Sequence, residues 1–199
     1  MEIPKDCNDY DLPETFINEL YLLLKRVSDT CHRNNIQYWI DGGTLLGSIR
    51  EKNQIPYDYD VDLGMFQTDY DELKKYSSYF VKKYNYHIIE SPGFLKIFSK
   101  ATGIYHKISE SDIVYISPCI DILVYENFNG IVAIKDRATR HMYSKYRFLE
   151  NDLLPLQRTY IYKDLNLYGA VNPYPYLDRC YGEWKKRIHD LKILYKNIK

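Results

Sequence analysis

The sequence predicts a single α/β (α+β) domain in which a mixed β-sheet is flanked by helices and followed by a small C-terminal helical and strand extension. Three observations predict it: a long amphipathic helical pattern comes first, short β-rich runs then alternate with helical stretches, and no repeat or low-complexity tract interrupts them. The 199 residues have the length of one domain, and a hydrophobic content of 45% is enough for a core. We place the domain core at about residues 36–135 and the extension at about 136–199.

The first predicted helix begins at Asp11 and extends to about Arg33. Asp11 is a capping residue with Glu14 three positions later, and apolar residues then recur at helical spacing. The residues of this apolar stripe are Phe16, Leu20, Leu23, Leu24, Val27 and Cys31. A β-rich run at 36–40 follows, and Thr44–Ile49 is predicted to be a helical turn or short helix.

The remaining elements are predicted from alternation and from turn residues. Acidic and apolar residues alternate along Ile55–Phe66, which predicts a strand, and Thr68 with Asp71 begins a second amphipathic helix. The later elements, in chain order, are strands at Tyr86–Ile89, Phe94–Phe98 and Ile113–Tyr125, a hairpin into Ile131–Ile134, a helix at Arg137–Phe148, a strand pair around Arg158–Leu167 and a helix at Pro173–Lys186. On the last helix, Tyr181 and Trp184 are interpreted as core packing, because they are three residues apart.

The composition argues against several classes of protein. Lys plus Arg and Asp plus Glu each number 27, so there is no long-range electrostatic reason to expect a nucleic-acid partner. The four cysteines form no Cys-x-x-Cys pair, which argues against a zinc site or a disulfide framework. With no secretory signal and no run of about 18 apolar residues, we expect a cytoplasmic protein without a membrane span. The composition does not indicate an oligomeric state.

Three acidic residues in the predicted strand carry the main chemical signal. Asp58, Asp60 and Asp62 lie at i, i+2 and i+4, so a strand directs them to one face, while Tyr59 and Val61 face the core. Tyr57 and Leu63 are assigned to that core face as well. Three like charges repel one another, and a bound Mg²⁺ or Mn²⁺ removes that cost. The alternative is a solvated acidic edge strand.

A calcium-binding loop of the EF-hand type also contains Asp at alternate positions, but this sequence does not match it. Leu63 stands where that loop requires glycine, and Asp69 stands where it requires glutamate.

A second signal is the Gly42-Gly43-Thr44 turn between a strand and a helix. Paired glycines let a backbone approach a phosphate, and the N-terminus of a helix attracts anions. The Thr44 hydroxyl and the Arg50 guanidinium, about two turns later, are further candidates for phosphate contacts. A plain strand-to-helix turn is the alternative, and the acidic strand downstream favours phosphate binding.

The two segments Tyr38–Arg50 and Ile55–Asp62 resemble the LicD family of the nucleotidyltransferase-fold superfamily. This family includes bacterial phosphocholine transferases and ribitol-phosphate transferases. The segments Leu154–Leu156 and Pro173–Trp184 support the resemblance. Two positions depart from the family pattern, which usually has Trp at Tyr57 and Asp at Tyr59.

The resemblance implies a nucleotidyltransferase-like sheet and the transfer of a phosphorylated alcohol from a CDP-linked donor, with release of CMP. The acceptor would be a glycan, a polymer or a lipid-linked sugar. The resemblance further implies metal binding by Asp60 and Asp62, with Asp58 assisting, and a third carboxylate on a neighbouring strand. Asp121, an acid within an apolar run, is the candidate, and a hydrogen-bonded structural role is the alternative.

Two other functions are consistent with the same motifs. A nucleotidylyltransferase would use an NTP and release pyrophosphate, and a catalytically silent fold would bind nucleotide without turnover. The three retained acids favour an enzyme.

Overall fold

The computed structural model describes residues 12–56, 58–102, 104–107 and 113–186. Helices and strands alternate after a long first helix, as the sequence predicts. The helices are α1 (Glu14–Arg33), α2 (Gly42–Arg50), α3 (Gln67–Lys74), α4 (Ser77–Tyr84), α5 (Arg137–Met142), α6 (Glu150–Leu153) and α7 (Tyr174–Tyr181). The strands are β1 (Trp39–Ile40), β2 (Asp60–Phe66), β3 (His87–Ser91), β4 (Phe94–Phe98), β5 (Ile104–Lys107), β6 (Ile113–Ile116), β7 (Cys119–Phe128), β8 (Ile131–Ile134), β9 (Arg147–Leu149), β10 (Gln157–Tyr162) and β11 (Leu165–Gly169).

The main sheet is mixed, which confirms the predicted fold class. Its central strands follow the order β1-β2-β7-β4-β3, and β8 pairs with β7 while β9 pairs with β8. The pairing of β2 with β7 is parallel, and the other pairings in this sheet are antiparallel. Helix α1 packs against β2 and β7 and shares a core with Val61 and Leu63, both fully buried. No helix among the described residues is long and apolar enough to cross a bilayer.

The first helix confirms the predicted stripe, because all six of its apolar residues are fully buried. The proposed cap at Asp11 lies outside the described residues, and Pro13 occupies the cap position. The strand predicted at 36–40 is shorter, comprising Trp39–Ile40 alone. The backbone amides of the first two residues in the predicted range donate outside the sheet. The amide of Ile36 donates to the Cys31 carbonyl, and that of Gln37 donates to the Asp69 carboxylate. The helix predicted at Thr44 starts two residues earlier, at Gly42.

The acidic strand begins at Asp60 and not at Ile55. The Asp58 amide donates to the Ile55 carbonyl at 2.9 Å, which makes the preceding residues a turn. The expectation that Tyr59 faces the core is wrong, since 38% of its surface is exposed. Tyr57 lies outside the described residues.

Other differences have local causes. The single strand predicted at Ile113–Tyr125 is divided at Pro118, which has no amide to donate, and its first part pairs instead with the unpredicted strand β5. The predicted second helix divides into α3 and α4. The helix predicted at Arg137–Phe148 ends at Met142, because residues 147–149 pair with β8. The last helix ends at Tyr181, where Gly182 has a φ of +60°.

Candidate active site

Three charged residues form one row across the sheet. Asp62 on β2 lies opposite Asp121 on β7, and Asp121 lies opposite Lys96 on β4. Residues that are partners in a sheet direct their side chains to the same face, so the three share one face. Asp60 precedes Asp62 by two residues and faces the same way. Asp121 is therefore on the strand next to Asp62, as the sequence analysis expected of a third carboxylate.

Asp58 reaches this cluster from the turn before β2, and not from the strand. Its carboxyl group adjoins that of Asp60, and this contact raises the pKa of Asp58 and lowers that of Asp60. Its carbonyl accepts a hydrogen bond from the Gln54 side-chain amide, and Gln54 in turn accepts one from the Tyr162 hydroxyl at 3.1 Å. The β10–β11 hairpin therefore supports the turn that carries Asp58.

The glycine pair packs directly on these carboxylates. The Gly43 amide donates to Asp62 Oδ2 at 3.0 Å. A Cβ on Gly42 would lie 2.2 Å from Asp62 Oδ2, and one on Gly43 would lie 2.6 Å from Asp58 Oδ2. Gly42 also has a φ of +48°, a backbone conformation that favours glycine. In this structure the carboxylates therefore account for both glycines, and the expected phosphate contacts of the pair stay a prediction.

Thr44 connects the helix to the acidic strand. Its hydroxyl oxygen accepts a hydrogen bond from the Asp62 amide at 2.9 Å, and the residue is buried. This contact fixes the start of α2 against β2 beside the Asp62 carboxylate. A phosphate contact of the Thr44 hydroxyl stays a prediction.

Tyrosines and a buried acid lie beneath the glycine pair. Asp41 is fully buried, caps α2 by accepting from the Gly42 amide at 2.9 Å, and also accepts a hydrogen bond from the Tyr125 hydroxyl. The Gly42 amide is also 3.2 Å from the Tyr176 hydroxyl on α7. Loss of solvation raises the pKa of Asp41, and hydrogen bonds from Tyr125 and Tyr176 partly offset that rise. Asp41 therefore orders the glycine turn from below.

Tyr181, which the sequence analysis assigned to core packing, lies next to the acidic site. Its hydroxyl lies 3.4 Å from that of Tyr146, and the Tyr146 hydroxyl lies 3.1 Å from the position of a Gly42 Cβ. Loss of solvation and then the Asp62 charge raise the pKa of Tyr181. Trp184 is buried, as expected, and donates to Asp178 at 2.7 Å. The C-terminal extension thus contributes directly to the surroundings of the acids.

The electrostatics of the site favour a cation. Loss of solvation, followed by the charge of Asp60, raises the pKa of Asp58 well above its ordinary value. For Asp62 the pKa is likewise raised well above its ordinary value, by loss of solvation first and then by the neighbouring acids. Loss of solvation raises the pKa of Asp60, although the contact with Asp58 and the charge of Lys96 partly lower it. Ionising all of these groups together is costly unless positive charge is supplied.

Lys96 is a site residue that sequence reasoning missed. Its ammonium lies 2.8 Å from Asp121 Oδ1 and 3.5 Å from the Cys119 sulfur. The signal in the sequence is a lysine in the middle of the strand Phe94–Phe98, whose two neighbours, Leu95 and Ile97, are buried on the opposite face. That signal identifies an unusual lysine but not its partner.

The donor chemistry at this site suits a hard divalent cation, because the carboxylates are close together and short of positive charge. As the side chains stand, no three His, Cys, Asp or Glu residues in the described part of the chain are arranged to hold a metal ion. The Asp58 carboxyl group contacts that of Asp60, and the Asp62 carboxylate accepts a hydrogen bond from the Gly43 amide. Metal binding by these acids therefore requires that their side chains turn.

Arg50 is engaged away from the carboxylates. Its Nε donates to Glu51 at 2.8 Å, and Nη1 donates to the Trp184 carbonyl at 3.1 Å. The guanidinium thus connects the end of α2 to the segment after α7. A contact between Arg50 and a donor phosphate stays a prediction, and it requires that these bonds be exchanged.

We expect Arg50→Lys to lower the free energy of unfolding by about 1 kcal/mol, because lysine keeps a charge beside Glu51 but cannot make both contacts. Chemical denaturation measures this change. The exposed Arg137 provides a matched control as Arg137→Lys, which should leave stability unchanged. A tenfold loss of CDP affinity, which is about 1.4 kcal/mol of binding free energy, with unchanged stability would instead support a phosphate contact.

The metal-free protein should become less stable as the pH rises. Loss of solvation raises the pKa of Asp121 to about 6, although Lys96 lowers it. An acid whose pKa is higher in the folded state binds its proton more tightly there, so stability falls as pH rises through the interval from the unfolded to the folded pKa. For Asp121 this amounts to on the order of 2–3 kcal/mol. Melting temperatures between about pH 4 and about pH 7 should show the fall, and it should be smaller in Asp121→Asn. An equal slope in both proteins would contradict the assignment.

Comparisons with known proteins identify relatives of this domain. Residues 35–163 match the model of the family described as LicD/FKTN/FKRP, nucleotidyltransferase domain. An uncharacterized protein of Rickettsia typhi is 31% identical over 180 residues, which are 89% of this chain and 50% of that protein. A second relative, from Rickettsia prowazekii, is 29% identical over 167 residues, 84% of this chain and 55% of its own length. The chain thus spans about half the length of these relatives.

A shorter match connects the chain to a protein with an assigned activity. The lipopolysaccharide cholinephosphotransferase LicD of Haemophilus influenzae is 48% identical over 40 residues, 20% of this chain and 15% of that protein. The row of acids on β2 and β7 and the glycine turn all fall within the 35–163 segment that the family model covers.

Proposed function

The chain belongs to the LicD/FKTN/FKRP nucleotidyltransferase-domain family, and we propose that it is a metal-dependent transferase that moves a phosphorylated alcohol from a CDP-linked donor. The acceptor is a glycan, a polymer or a lipid-linked sugar. The observation that carries this proposal is the arrangement of Asp60, Asp62 and Asp121 on adjacent parallel strands beside the Gly42–Gly43 turn. The alcohol is of the phosphocholine or ribitol-phosphate type, by analogy with the activity named for the LicD relative and with the family resemblance.

Asp58, Asp60, Asp62 and Asp121 would hold Mg²⁺ or Mn²⁺. Such a metal supplies positive charge that neutralises a diphosphate and stabilises the departing phosphate. The pKa values of these acids are raised by loss of solvation and, for Asp58 and Asp62, also by the neighbouring acids, so a bound cation would stabilise their ionised forms. The N-terminus of α2 lies against the same carboxylates and adds a favourable potential for an anion beside them.

In the proposed reaction, an acceptor hydroxyl oxygen forms a bond to the phosphorus that carries the alcohol. The bond between that phosphorus and the bridging oxygen breaks, CMP leaves with the electron pair, and the hydroxyl proton is released. The chain's own residues bind and orient the donor: the glycine turn and α2 face one side of the acids, and the C-terminal tyrosines enclose them from below.

Product analysis tests this proposal. The protein is incubated with Mn²⁺ and CDP-choline or CDP-ribitol, with and without candidate glycan acceptors, and CMP is measured by chromatography. Acceptor-dependent release of CMP supports the proposal. Release of pyrophosphate from an NTP would support a nucleotidylyltransferase, and binding of CDP with no product would support a silent nucleotide-binding module.

A further inference from the structure

A lysine lies inside the acidic site. Lys96 is in the row Lys96–Asp121–Asp62 across three strands, and its side chain keeps 29% of its surface exposed. Loss of solvation by itself would lower the pKa of this ammonium, but Cys119 and Asp121 outweigh that effect and raise it. The side chain is therefore held charged, within a cluster of acids, at a position from which it still reaches solvent.

The partner of Lys96 is the acid that the proposed function assigns to a metal. A divalent cation at Asp121 and an ammonium 2.8 Å from the same carboxylate repel each other. A cation held by the acids would displace the ammonium toward the partly exposed side. The diphosphate of the proposed donor would bring negative charge to that side.

We propose that Lys96 is a donor-binding residue: its ammonium holds Asp121 while the site is free of metal and contacts a phosphate of the CDP-linked donor once a divalent cation has bound. This inference rests on the proposed function. The side chain is suited to the exchange, because a lysine carries a compact charge on a flexible four-carbon stem. The mobile end is the ammonium, while Leu95 and Ile97, both buried, hold the strand in place.

The experiment is calorimetry on four proteins: wild type, Lys96→Met, Lys96→Arg and a control, Lys82→Met, whose lysine is exposed on α4. Each is titrated with Mn²⁺ and then, with Mn²⁺ saturating, with CDP. In Lys96→Met we expect Mn²⁺ to bind at least about threefold more tightly, because a repelling charge is gone, and CDP to bind at least about tenfold more weakly. Lys96→Arg should restore CDP affinity to within about threefold, and Lys82→Met should match wild type.

The two affinities move in opposite directions, which a purely structural role does not produce. Unchanged CDP affinity in Lys96→Met overturns the inference, and so does weaker Mn²⁺ binding, which would mean that Lys96 only positions Asp121. If Lys96→Met does not fold, Lys96→Gln is measured in its place, because glutamine keeps the polar end and removes the charge. Absence of Mn²⁺ and CDP binding in wild type overturns the proposed function itself, which separates that failure from the failure of the lysine assignment.

Discussion

Asp60→Ala is expected to abolish Mn²⁺ binding and CMP release while the protein remains folded. Asp60 bonds to Asp58 and is repelled by its acidic neighbours, so losing its carboxylate relieves repulsion in the metal-free state. A metal held as proposed would lose a direct ligand, which we expect to cost about 100-fold or more in affinity. Asp62→Ala should have the same effect on binding, but it also removes the acceptor of the Gly43 amide and should cost some stability.

The measurements are calorimetry with Mn²⁺, CMP release and thermal unfolding without metal. The control is Glu126→Ala, which removes an exposed acid from β7, the strand that carries Asp121. That variant should bind Mn²⁺ as wild type does. Unchanged Mn²⁺ affinity in both Asp60→Ala and Asp62→Ala would show that these acids do not hold the metal.

The acidic face could be predicted because it depends on local periodicity. Asp60 and Asp62 are two residues apart on a strand, so one face holds both whatever the strand pairs with. Asp121 needed the family resemblance, since a single sequence does not reveal that β7 lies beside β2. Lys96 was missed for the same reason: its partner is set by the register between β4 and β7, two strands that are distant in sequence.

The errors in secondary structure also arose where tertiary contacts outweigh local pattern. The Gln37 amide donates to the Asp69 side chain, which removes that residue from the first strand. Arg147 lies in a helical pattern but pairs with Ala133 in the sheet. In both cases a partner distant in sequence determines the backbone hydrogen bond, and neither propensity nor periodicity contains that information.

At the glycine turn, the sequence analysis and the structure give two different physical reasons for the glycines. The sequence analysis linked Gly42 and Gly43 to phosphate binding, because glycine leaves room near amides. In the structure the space beside each glycine is filled by a carboxylate oxygen, from Asp62 and Asp58 respectively. A methyl group at either position therefore disturbs the acids before any donor is bound.

Gly42→Ala is expected to lower the free energy of unfolding by about 2–4 kcal/mol and to abolish Mn²⁺ binding. Two costs combine. The residue has a φ of +48°, which disfavours a side chain, and its Cβ would lie 2.2 Å from Asp62 Oδ2 and 3.1 Å from the Tyr146 hydroxyl. Denaturant unfolding and Mn²⁺ calorimetry measure the two effects.

Two further glycines separate these costs. Gly182 also has a positive φ, +60°, with a ψ of −117° that disfavours a side chain, but nothing lies within 4 Å of its Cβ position. Gly182→Ala should therefore cost only backbone strain, about 1–3 kcal/mol, and leave Mn²⁺ binding intact. Gly43 has an ordinary helical backbone, and its Cβ would meet the movable end of Asp58, so Gly43→Ala should keep most of the stability and lose metal affinity. If Gly42→Ala lowered the free energy of unfolding no more than Gly182→Ala does, backbone strain alone would explain why the turn contains glycine. The carboxylates would then not be the reason for its glycines.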